Sequence, residues 1–83
     1  MMMNAFYKQK PIIDTPCRQL IAHINNGGWE VRLRGGTKWG AEHTEEMKIL
    51  PVKSFEEASE VYDKEYKQLE AEGWKPYSPQ QTW

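Results

Sequence analysis

The 83 residues amount to one domain, long enough for a modest core but able to bury only somewhat more than about 60% of the surface the unfolded chain exposes. A hydrophobic fraction of 39% with four Trp and four Tyr argues against disorder throughout and assigns much of the core to aromatic side chains. The lone cysteine, Cys17, excludes an internal disulfide and points to a reducing, cytoplasmic setting; no apolar run approaches the ~18 residues of a membrane span, and Met1 to Lys10 lacks the apolar middle of a secretion signal.

The net charge of −1 conceals an uneven distribution. Residues 1–41 carry six cations against two acids, a net of +4, whereas residues 42–83 carry five cations against ten acids, a net of −5. The basic half suits nucleic acid and the acidic half suits a basic protein surface.

In chain order, residues 1–14 show no clear period and read as an N-terminal arm, with Phe6, Tyr7, Ile12 and Ile13 available to dock on the domain. Thr15-Pro16 reads as a helix start, and Cys17, Leu20, Ile21 and Ile24 follow at the i, i+3, i+4, i+7 spacing of one apolar helical face. Asn25-Asn26-Gly27-Gly28 ends that expected helix. Trp29, Val31 and Leu33 then alternate with Glu30, Arg32 and Arg34, the signature of a strand with one face to the core and one to water. Gly35-Gly36 is expected to turn the chain, followed by a second strand from Thr37 to about Glu42 and a third from Glu46 to Leu50, which Pro51 closes.

Ser54-Phe55-Glu56-Glu57 is a capping box that opens a second helix, whose apolar side carries Phe55, Ala58, Val61, Tyr62, Tyr66 and Leu69. Gly73 with Trp74 predicts a Schellman ending. Glu65 falls inside the apolar arc, where its carboxylate needs an arginine to brace or access to water. Residues 75–83, polar and proline-bearing with aromatics at intervals, read as an extended C-terminal tail. The expected fold is therefore α+β in the order α-β-β-β-α, a three-stranded antiparallel sheet against two helices within residues 15–74.

That order is the arrangement of double-stranded-RNA-binding domains, and within it the chain resembles the HicA (YcfA-like) family of toxin-antitoxin ribonucleases. The resemblance runs over residues 17 to about 70: Leu20-Ile21 through Gly28-Trp29 fit the family's helix and its exit, Gly36-Thr37-Lys38 falls on its Gly-Ser-His, and Met47-Lys48-Ile49-Leu50-Pro51 fits its last strand and proline. The family's catalytic histidine falls on Lys38, and the position after the proline, often histidine, on Val52 or Lys53. The resemblance thus implies an RNA-binding shape without the nuclease chemistry, since lysine at neutral pH is a charged phosphate ligand rather than a proton shuttle. Lys38-Trp39-Gly40, Ser54-Phe55 with Ala58, and Gly73-Trp74 are also similar to WGR domains, although the arginine that should follow is Ala41.

Other chemistry is sparse. His43 lies in a polar connection and His23 beside the apolar face of the first expected helix; with Cys17 they make no zinc spacing, and no phosphate loop, nucleophile elbow or carboxylate pair is present. No cofactor or metal is expected. The leading expectation is a non-catalytic nucleic-acid-binding module, for RNA before DNA, in which Arg32, Arg34, Gly35, Gly36, Thr37 and Lys38 engage phosphates and Trp39 stacks on a base. Its alternative is a small phage or mobile-element inhibitor or adaptor that contacts a host or antitoxin protein through the acidic helix or the aromatic tail. A HicA-like ribonuclease using His43 with Lys38 ranks third.

Overall fold

The computed structural model describes residues 2–8 and 15–77. Five strands form a single antiparallel sheet: β1 (Met2–Tyr7), β2 (Cys17–Asn25), β3 (Gly28–Gly36), β4 (Glu45–Pro51) and β5 (Lys75–Pro76), in the spatial order β4-β3-β2-β1-β5. One α-helix, α1 (Phe55–Ala71), packs on one face. This overturns the expected three strands and two helices.

The segment expected to be the first helix is β2. A helical face through Cys17, Leu20, Ile21 and Ile24 would bury all four, but Ile24 is 64% exposed while Ala22 is fully buried. The alternation of a strand fits instead, with Leu20 and Ala22 toward α1 and Gln19, Ile21 and His23 on the opposite face. A helix of two turns has little stability of its own, whereas this segment gains pairing partners on both sides, β1 and β3. Asn26-Gly27 is accordingly the two-residue connection of a hairpin: Asn25 Oδ1 accepts the Gly27 N–H at 2.8 Å, and Gly28 takes φ +121°.

Residues 2–7, at the start of the segment expected to be an arm, lie inside the sheet as β1, and Phe6 is fully buried. Ile12 and Ile13 fall outside the described residues. At the other end Lys75–Pro76 pair with Tyr7 and Phe6, so the start of the expected tail is a short edge strand; residues 78–83 are outside the described residues.

Gly35-Gly36 does not turn the chain either. β3 runs through both, and the left-handed glycines are Gly28, Gly40 and Gly73. Gly36 is required by close approach, because a Cβ there would collide with the His43 carbonyl oxygen. The expected second strand is a connection containing a 3-10 turn at Ala41–His43, held by Thr44, whose hydroxyl donates to Ala41 O at 2.7 Å. The expected third strand is present as β4, with a bulge at Met47: Lys48 sits opposite Leu33 and Glu46 opposite Arg34.

α1 forms where the capping box places it. Ser54 Oγ accepts the Glu57 N–H at 3.1 Å, and at the far end Trp74 N–H donates to Leu69 O and Gly73 N–H to Glu70 O, the Schellman pattern with Gly73 at φ +95°. Ala58, Tyr62 and Leu69 meet Phe6, Leu20, Ala22, Val31 and Trp74 in the core, with Tyr66 edge-on to Phe6 at 5.1 Å. Tyr62 donates its hydroxyl to Asn4 Oδ1, tying helix to β1. Glu65 finds a lysine: its carboxylate takes the Lys48 ammonium at 2.8 Å.

Candidate functional site

With α1 on one side, the described residues place no α-helix on the opposite face of the sheet, and strand alternation sends Arg32 and Arg34 there together. The sequence placed them on one face, and they are on one face. What it did not show is what meets them. Across the strand pair lies Glu46, whose Oε1 accepts Arg32 Nη2 and Arg34 Nη1, each at 2.5 Å. Arg34 is held further by Thr44, Nε to Oγ1 at 3.1 Å and Nη2 to the backbone oxygen at 2.7 Å.

The network continues along β3. Glu30 Oε1 lies 3.8 Å from Arg32 Nη1 and 2.8 Å from His23 Nε2 on β2. Two guanidiniums thus face two carboxylates, and this network carries no net charge when His23 is neutral. Side-chain exposure is about 30% for Arg32, Arg34 and Glu46, so these pairs are more than half removed from water and less screened than surface ion pairs. Among the described residues, Arg32 Nε is buried without a hydrogen-bond partner.

The remaining predicted contacts are divided. Gly35 and Gly36 continue the strand, where a Cβ on Gly35 would lie 2.5 Å from the Met47 sulfur and 2.7 Å from an Arg18 guanidinium nitrogen. Thr37 and Lys38 are exposed in the connection to β4, and Lys38 forms no ion pair among the described residues. Trp39 is half-buried with its ring 5.1 Å from Tyr77, edge to face, so its stacking surface is partly used within the molecule.

Glu46, Thr44, Glu30 and His23 are the residues of this network that sequence reasoning missed. Glu30 was readable, because it alternates in phase with Arg32 and Arg34 and must share their face. Glu46 comes from another strand, and its match to Arg34 depends on the Met47 bulge.

The other reactive groups are quiet. Cys17 is 3% exposed; burial pushes its thiol up, against smaller opposing effects of the Gly40 backbone hydrogen bond and the Arg18 charge, which leaves little thiolate to react. His43 is exposed, with Nε2 3.6 Å from Glu42 Oε1. Among the described residues no three metal-binding side chains gather, no enclosed pocket forms, and no helix is long and apolar enough to cross a membrane.

No family model matches the chain, and neither a curated protein nor a solved structure matches it.

Proposed function

We propose that this protein works by contact with another protein, as a small non-catalytic adaptor or inhibitor, rather than as a phosphate-binding module. One observation supports that reading above all: both β3 guanidiniums are already engaged by Glu46, so a phosphate would have to displace a carboxylate that sits within hydrogen-bond distance of each. The field outside such a balanced face does not gather polyanions. The outer surface of α1, by contrast, presents Glu56, Glu60 and Glu70 to solvent with no ion-pair partner among the described residues, beside an Asp63 paired with Lys67 at 2.9 Å.

Two measurements test the reading together. Filter-binding titrations with single- and double-stranded RNA should give no saturable, salt-dependent affinity. Retention of a protein partner from nuclease-treated lysate should fail when Glu56→Lys, Glu60→Lys and Asp63→Lys are combined. RNA binding that weakens with salt and disappears in Arg32→Ala with Arg34→Ala would restore the nucleic-acid reading.

A further inference from the structure

Where the β2–β3 hairpin meets the start of α1, three large apolar side chains come together at the surface. Ile24 lies directly across the strand pair from Trp29, and the Trp29 ring is 5.3 Å from that of Phe55. Ile24 is 64% and Phe55 51% exposed, with Trp29 partly exposed between them. The fold explains the exposure: β1 pairs with β2 no farther than Ala22 among the described residues, leaving Ile24 beyond its edge, and Phe55 is the first residue of the helix, on the flank of its buried side. Large apolar side chains gain free energy on leaving water, so a contiguous set held in water marks a contact surface more than a lone exposed hydrophobe does.

Charge around the patch selects what can cover it. The first turns of α1 carry Glu56, Glu57 and Glu60 with the single base Lys53 just before them, while Asp63 is paired with Lys67 at 2.9 Å. Helical spacing sets Glu56 on the outer flank next to Phe55. Neither Glu56 nor Glu60 forms an ion pair among the described residues. Anionic lipid and nucleic acid are repelled by such a rim. A segment with apolar anchors on one side and lysines or arginines beside them is complementary both to the rings and to the acids.

We infer that Ile24, Trp29 and Phe55, with Glu56 and Glu60 as their acidic rim, form the docking site for a basic amphipathic helix of a partner protein. This rests on the protein-contact reading and names the surface and the chemistry of its ligand. The aromatic pair supplies the rigid anchor and the acids set orientation and encounter rate.

The test is a titration of the full chain, nitrogen-15 labelled, with a synthetic 18-residue helical peptide of leucine and lysine in amphipathic order, and with its leucine–glutamate counterpart. The lysine peptide should bind with chemical-shift changes confined to the hairpin end and the first turns of α1. Ile24→Thr with Phe55→Ser should weaken it by about tenfold or more, as should Glu56→Lys with Glu60→Lys. Both pairs of substitutions are on exposed positions, and unchanged far-ultraviolet circular dichroism confirms the fold. Absence of binding, equal binding of the glutamate peptide, or shifts centred on another surface would overturn the inference. The protein-contact reading itself is tested by the RNA titration and the lysate retention described above, neither of which uses the peptide, so the two failures are distinct.

Discussion

Arg32 and Arg34 share a single carboxylate oxygen: Glu46 Oε1 receives one nitrogen from each guanidinium at 2.5 Å. Two cations that strand periodicity aims in one direction are thereby turned toward each other and toward β4.

Glu46→Gln should therefore have two effects. It removes the one charge that, among the described residues, is common to both guanidiniums while keeping the side chain's shape, and we expect a loss of stability of about 1–3 kcal/mol in urea unfolding. It should also strengthen salt-sensitive retention on heparin relative to the native protein. A variant as stable as the native chain, eluting at the same salt concentration, would show that the pairing carries little energy.

Gly36→Ala should destabilise by about 1–3 kcal/mol and loosen the connection that ends at Thr44, since the added methyl group meets the His43 carbonyl. Gly27→Ala is the control: its Cβ would meet nothing closer than Asn25 Oδ1 at 3.6 Å, and its effect should stay within about 0.5 kcal/mol. Equal effects at the two sites would mean that close approach is not what requires Gly36.

Phe6→Ala should cost about 3–5 kcal/mol, the loss expected for a buried aromatic packed against Tyr66, and at this chain length that is enough to leave much of the population unfolded at 37 °C. Thermal unfolding followed by circular dichroism measures it. A small effect would return the first residues to the periphery of the molecule.

Alkaline stability should depend on Tyr62. Burial, and then the neighbouring Tyr66, push its phenol from 10.0 up to about 12. The folded state therefore keeps a proton that the unfolded chain releases near 10, so this contribution is complete below pH 10 and drains away as pH rises to about 12. The fall in unfolding midpoint across that interval should be shallower in Tyr62→Phe than in the native protein. Identical slopes would place the titration elsewhere.

What the sequence revealed divides along the range of the interactions involved. α1 was readable from end to end because its signals are local: Ser54 with Glu57 at one terminus, Gly73 with Trp74 at the other. β3 was readable because its alternation spans six residues without a competing period. β2 was not, since Leu20 and Ile24 satisfy a helical and an alternating pattern equally well over so short a run, and pairing with β1 and β3 decided between them. Asn26-Gly27 offered a hairpin signal that the helical reading absorbed as a terminator. The cations of the candidate site were found and their neutralisation was not, because the neutralising oxygen arrives from a strand twelve residues away. Gly35-Gly36 was read as a bend for the same reason: the atom that forbids a side chain at Gly36 belongs to a later loop.

Phe6 opposite Pro76 means that the outer edge of β1 is covered by a segment about seventy residues further along the chain. Closing so long a loop costs chain entropy that the local pairing of β2 with β3 does not, and only two residues of β5 repay it. When that contact opens, β1 is left as an unpaired ribbon, so the short, proline-bearing segment acts as a clasp over the edge.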